Sequence, residues 1–230
     1  MSTKHIAAIF DVDGTLIAHD SLERIFIRFL WRYGELRVGD LARLFGGAIK
    51  ALAEGRSPLK ANKAYLRGKS AERVARLARD CFEQEIERRL LPSAIERLRW
   101  HQRAGHHVVL LSGTLDLLLA PLAEYLGVEA CTGTEIEIVN QCLTGRIVGL
   151  HPYGAAKAEC LTKINCKATF DLARSFAYAD CYADRYLLAA VGHPVATNPD
   201  RRLRRVAERH GWMIEDFTAG HLIPTQYHNY

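Results

Sequence analysis

From Pro92 onward, short apolar runs alternate with segments of helical spacing, and this rhythm narrows what the chain can fold into. Residues 93–103, 115–126, 155–164 and the stretch from Asp200 to Gly211 read as helices. Residues 107–111, 175–178 and 195–197 are apolar runs too short for a helix, and residues 6–10 form another near the N-terminus. Buried strands alternating with helices build a parallel sheet covered on both faces, so the fold class is α/β. Residues 135–139 and 143–148 predict an antiparallel pair joined near Asn140, and the last dozen residues read as a loose tail.

Between about 20 and 91 the rhythm is purely helical. Leu22, Ile25, Phe26, Phe29, Leu30 and Tyr33 define one apolar face. Val74, Leu77, Ala78, Cys81, Phe82 and Ile86 define a second, and Gly34, Gly39, the Gly46-Gly47 pair, Gly55 and Pro58 punctuate the stretch. An all-helical insertion follows, with residues 1–17 and 92–230 as the core and 18–91 as the insert. A length of 230 residues suits one domain carrying such an insert.

Composition removes several classes of function. The longest apolar candidate, residues 108–128, is interrupted by Ser112, Gly113, Asp116 and Glu124, so no membrane span is expected. Without a signal-peptide core the expected location is cytoplasmic. The six cysteines form no C-x-x-C pair and read as reduced thiols. The net charge of +5 owes part of its excess to Arg201, Arg202, Arg204 and Arg205. Their spacing around Leu203, Val206 and Ala207 reads as the solvated face of an amphipathic helix, and no nucleic-acid partner is expected.

Four constellations at strand ends carry chemistry. Asp11 and Asp13 flank one residue just after the first strand, where alternation points them to the same side. Two carboxylates so close stay ionised together only with a cation between them, and oxygen ligands at a phosphate site suit Mg²⁺. Gly14 allows the sharp turn that follows. Ser112-Gly113-Thr114 offers a hydroxyl and a backbone N–H ahead of a helix, either as a phosphate cradle or as a plain helix cap. Lys157 falls in the first turn of a helix, where a cation is disfavoured unless an anion lies nearby. Asp180 ends a strand, and Asp184, four residues on, turns back toward it if a helix starts there. Together they supply a nucleophile, a hydroxyl, a cation and metal ligands, the inventory of phosphoryl transfer through an aspartyl-phosphate.

In this order the motifs resemble the haloacid dehalogenase superfamily, specifically its phosphoserine-phosphatase-like branch, over essentially the whole chain. The resemblance implies a Rossmann-like core with a helical-bundle cap. It implies Asp11 as nucleophile and Asp13 as acid and then base. Mg²⁺ would be held by Asp11, the backbone carbonyl of Asp13, and Asp180, with Asp184 supporting it directly or through water. Ser112, Gly113 and Lys157 would hold the phosphoryl group, with Thr15 beside them as a supporting hydrogen-bonder. The chain departs from the pattern at Ala179, where the family usually has Gly, and at Cys181, where it often has Ser.

Asp20 falls where the family often places an acid that contacts substrate, yet Asp20-Ser21-Leu22-Glu23 also reads as a capping box. Arg56, with Lys63 and Arg67, could face an anionic substrate tail or open solvent, and His19 reads as a loop residue. The expected substrate is a small phosphate monoester, for instance an amino-alcohol phosphate such as phosphoserine or histidinol phosphate, handled by a monomer or homodimer. A phosphotransferase using the same intermediate and a non-catalytic phosphate sensor are the alternatives.

Overall fold

The computed structural model describes residues 4–18, 20–40, 42 and 63–219. Arg56, His19, the Gly46-Gly47 pair, Gly55, Pro58 and the tail residues 220–230 lie outside the described residues. The strands are β1 (Ala7–Phe10), β2 (His107–Leu115), β3 (Ala130–Val139), β4 (Cys142–Val148), β5 (Phe176–Ala179), β6 (His193–Thr197) and β7 (Met213–Glu215). They form one sheet in the order β4-β3-β2-β1-β5-β6-β7, parallel throughout except where β3 meets β4. The expected α/β class is borne out.

β1 is apolar end to end because both its faces are buried. Ala8 and Phe10 join one hydrophobic cluster and Ala7 and Ile9 the other. The first cluster takes in helices α1 (Leu22–Arg32), α2 (Ala71–Cys81), α3 (Pro92–Arg103) and α4 (Asp116–Leu126). The second takes in α5 (Ala155–Ala168), α6 (Arg185–Leu188) and α7 (Arg201–His210). Several helix boundaries have a local cause. Ser21 caps α1 through the Arg24 N–H, Pro92 opens α3, and Asp200 caps α7 by accepting from Arg202 N and Leu203 N, each at 2.8 Å. Gly211, at φ 66°, ends α7 in the left-handed region as expected.

The described part of the insertion is mostly helical, and Leu22, Ile25, Phe26, Phe29, Leu30, Val74, Ala78 and Cys81 are buried as their spacing predicts. These residues share one continuous cluster with β1, β2 and β5. Tyr33 is not buried: it stands at the C-cap of α1, where helical spacing no longer holds, and is 51% exposed. The second helical pattern does not stay α-helical to its end, because a wider π turn takes over at Phe82–Ile86 and keeps Phe82 and Ile86 buried.

Three strand expectations need correction. β2 runs to Leu115 instead of stopping at Leu111, with its register against β3 shifting between Leu111 and Leu115. β3 begins at Ala130, because its first half pairs in parallel with β2 before its second half pairs with β4. β7, only three residues long, carried no pattern to read. The β3–β4 turn places both Asn140 (φ 49°) and Gln141 (φ 62°) in the left-handed region, the pairing that matches strand twist in a two-residue hairpin. The hairpin tip is laddered to the returning insertion: Gly68 N–H bonds Leu143 O, Leu143 N–H bonds Lys69 O, and Ala71 N–H bonds Gln141 O, at 2.8–2.9 Å. Among the described residues no helix is long and apolar enough to cross a membrane.

Candidate active site

β1 lies between β2 and β5, where the chain reverses its direction of travel across the sheet, and ligands bind outside the carboxyl ends of the strands at such a point. Asp11 follows β1 directly, and its N–H extends the ladder to Tyr178 O at 2.9 Å. Val12 is wholly buried in the core, which leaves Asp11 and Asp13 turned to the opposite side. Gly14 has φ 85°, and a Cβ there would lie 2.1 Å from Asp180 Oδ2. The glycine therefore serves the turn and also the close approach of a second carboxylate, a requirement the spacing alone did not reveal.

Lys157 explains its own placement in the first turn of α5. Its ammonium is almost fully buried, 2.8 Å from Asp11 Oδ1 and 3.1 Å from Asp184 Oδ1. Burial alone would lower its pKa, but the two carboxylates override that and raise it, so the group stays charged. The effect on the acids is the reverse. Burial first, then the charge of Asp11, raises the pKa of Asp180, and burial likewise raises Asp184 against the pull of Lys157. Three carboxylates around a single ammonium are an incompletely neutralised set.

A divalent cation would complete it. Asp11, Asp180 and Asp184 each offer an oxygen, and these oxygens lie within 4.8 Å of one another. Ligands about 2.1 Å from a common centre can span that distance only up to about 4.2 Å, so small adjustments would bring all three onto one Mg²⁺. Asp180 Oδ1 is buried with no hydrogen-bond partner among the described residues, as a vacant ligand oxygen would be. The donor set is all oxygen and anionic, so it fits a hard cation. The side chain of Asp13 is not part of this set, because Leu22 N–H donates to its Oδ1 at 2.9 Å and the Thr114 hydroxyl to its Oδ2 at 2.8 Å. Burial, reinforced by Asp11, moves the Asp13 pKa up to about 6.

Ser112 and Gly113 sit on the last, irregular part of β2, not in a separate loop, and neither caps α4. Together with Asp11, Asp13, Lys157 and Asp180 they line one cavity of about 390 Å³. Thr15 does not line it. The residue is fully buried beneath the turn and its hydroxyl accepts from Thr197 at 3.4 Å, so it supports the turn and does not face a phosphate. The bond from Thr114 to Asp13, and Asn198 altogether, which donates to Gly14 O at 3.2 Å, are not legible in sequence, because nothing in their neighbourhood links them to the turn after β1.

Asp20 lines the cavity, but the capping-box reading is overturned: Ser21, not Asp20, caps α1, and Glu23 is drawn to Lys63 and Tyr65. The Asp20 carboxylate is instead taken by Arg28 and by the Ser21 N–H at 2.9 Å. Its pKa is lowered, the Arg28 and Ser21 hydrogen bonds outweighing the opposing effect of burial. Lys63 is fully buried and paired with Glu23, which also accepts from Tyr65 at 2.9 Å, whereas Arg67 is exposed. Ala179 keeps an ordinary strand backbone, so the missing glycine brings no strain, and Cys181 lines the cavity.

A sequence model described as haloacid dehalogenase-like hydrolase matches residues 8–189. The phosphoserine phosphatase SerB1 of Mycobacterium tuberculosis is 32% identical over 221 residues, covering 92% of this chain and 70% of that protein. A histidinol-phosphatase of Neisseria meningitidis serogroup C is 25% identical over 226 residues, covering 91% of this chain and 98% of its own length. A solved Bordetella pertussis protein of unknown function superimposes with a TM-score of 0.81 at 27% identity, covering 94% of this chain and all of that one.

Proposed function

Because the chain belongs to the haloacid dehalogenase-like hydrolases and is a phosphoserine-phosphatase-like phosphatase, we propose that it hydrolyses a small-molecule phosphate monoester through a phosphoaspartate at Asp11. The observation that carries this reading is the convergence of Asp11, Asp13, Ser112, Lys157, Asp180 and Asp184 on one cavity at the strand ends.

Asp11 Oδ1 is engaged by the Val12 N–H at 2.7 Å and by Lys157, which leaves Oδ2 to attack phosphorus. The Ser112 hydroxyl, the Gly113 N–H and the Lys157 ammonium hold the phosphoryl oxygens and offset charge as it builds there. Asp13 gives its proton to the leaving oxygen, and its raised pKa suits that step. It then draws a proton from the water that frees Asp11. Mg²⁺, held by Asp11, Asp180 and Asp184, would neutralise the phosphoryl oxygens and fix the line of attack.

We assign residues 18–91 to a cap and residues 1–17 and 92–230 to the core. The cap wall contributes Asp20, Glu23 and Arg24 to the cavity, a mixed-charge lining that suits a substrate with polar groups beyond its phosphate. Amino-alcohol phosphates of the phosphoserine or histidinol phosphate kind fit that description, in keeping with the names of the relatives. The test compares wild type with Asp11→Asn on an aryl phosphate and on a panel of natural monoesters, with and without Mg²⁺. Mg²⁺-dependent turnover by wild type and none by the variant is the expected result. Equal turnover by both would refute Asp11 as nucleophile.

A further inference from the structure

Ser112 carries out its role at the end of a chain of hydrogen bonds that begins 39 residues away in sequence, at His151. The Thr134 hydroxyl donates to Gly113 O at 2.7 Å, since a carbonyl can only accept. A hydroxyl has one proton, so the 2.6 Å contact between Thr134 Oγ1 and His151 Nδ1 must be donated by the imidazole. This fixes His151 with a proton on Nδ1. The same Gly113–Thr114 peptide unit is held at its other end, where the Thr114 N–H donates to Ser112 Oγ at 3.2 Å. That incoming donor fills one lone pair of the Ser112 hydroxyl and keeps its proton off the Thr114 side, so the proton is available to the cavity that Ser112 lines.

All the donors run in one direction: His151 Nδ1–H to Thr134, Thr134 O–H to Gly113 O, Thr114 N–H to Ser112, and Ser112 O–H to the cavity. Hydrogen bonds arranged head to tail polarise one another, so each makes the next a better donor. The surroundings keep the chain in register. Ser112, Thr114 and Thr134 are each 1–2% exposed. Gly133, the residue before Thr134, has no room for a Cβ, which would lie 2.5 Å from Thr114 O, and its N–H donates to Asp116 Oδ1 at 2.5 Å. On the other side, His151 Cε1 and Pro152 O both lie 3.4 Å from where a Gly113 Cβ would stand.

We propose that His151 and Thr134 are positioning residues that orient the Ser112 hydroxyl as a donor to a phosphoryl oxygen. The proposal rests on the reading of the cavity as a phosphatase site. Inorganic phosphate is the binding probe, followed by calorimetry, with aryl phosphate turnover as the second readout. His151→Phe and Thr134→Val are each expected to weaken phosphate affinity and lower kcat/KM roughly tenfold, the scale of one lost hydrogen bond. His151→Asn, which can still present an N–H, is expected to recover most of the loss. In a Ser112→Ala background, His151→Phe should change phosphate affinity by less than about twofold, because the two act through the same proton. Unfolding measured alongside separates these effects from loss of fold. Wild-type affinity in both His151→Phe and Thr134→Val would overturn the proposal, as would losses that simply multiply with that of Ser112→Ala. If wild type itself neither bound phosphate nor turned over substrate, the phosphatase reading would fall, and this chain with it. Turnover by wild type with unaffected variants would sink the chain alone.

Discussion

Replacing His101 should flatten the acid side of this protein's stability profile. The imidazole is fully buried beneath β5, with Nε2 2.7 Å from Tyr178 Oη and Nδ1 2.8 Å from His106 Nδ1. Burial first, then the neighbouring His106 and Arg97, moves its pKa from 6.5 down to about 2. A histidine depressed in the folded state stays neutral there while the unfolded chain takes up a proton. Its contribution is therefore fully present above the unfolded value of 6.5 and is lost as pH falls below it. Between pH 8 and pH 5 the unfolded state gains RT ln(1 + 10^1.5), about 2 kcal/mol, from this one group. For a chain of this size that is about 4–8 °C in Tm. His101→Gln keeps a hydrogen-bonding group at the reach of Nε2, beside Tyr178, but cannot take up a proton. The assay is urea unfolding at pH 8 and pH 5 for both proteins. The fall in stability between the two pH values should be about 2 kcal/mol smaller for the variant. His106, whose pKa burial also lowers, titrates in both proteins and largely cancels from the difference. Parallel profiles for the two proteins would show that His101 is protonated in the folded state near its ordinary pKa, and the argument would be wrong.

Two further outcomes follow from particular contacts. Gly14→Ala would drive a methyl group into Asp180 Oδ2 and place a side chain at φ 85°, so Mg²⁺ dependence measured by titration should weaken about 10- to 100-fold, and an unchanged requirement would refute the role given to Gly14. Arg97 and Glu215, 2.9 Å apart and at most 9% exposed, tie α3 to β7, so Arg97→Met should lower unfolding stability by about 3–5 kcal/mol, while replacing both residues with Met should lower it less.

The core of the site was legible because its parts sit at strand ends. Asp11, Ser112 and Asp180 each follow or finish an apolar run, and a parallel sheet brings such ends together whatever the residues between them. Lys157 was readable for a different reason: a cation in the first turn of a helix demands an anion nearby. Interactions that join distant segments side by side left no trace in the pattern. Thr114 reaches Asp13 across 101 positions, and Thr134 reaches Gly113 across 21, and a threonine in a strand is too ordinary to signal either contact. Asp20 misled as a cap because Ser21 beside it caps equally well, and only the fold shows its carboxylate held by Arg28 at the cavity wall. Lys63 looked like a surface cation, and only the fold brings Glu23 to it in the interior. The π turn at Phe82 escaped notice because burying Phe82 and Ile86 looks the same from spacing in an α or a wider helix.

The ladder between residues 68–71 and the β3–β4 hairpin bears on how the molecule keeps to itself. A sheet ends in two edges, and unpaired edges invite other strands. β7 is only three residues long, a poor template for pairing. β4 is seven residues long, and its outermost N–H and C=O groups around Leu143 are already taken by Gly68 and Lys69. Residues 68–71 thus guard the sheet, and a chain without them would expose a strand edge ready to recruit another copy.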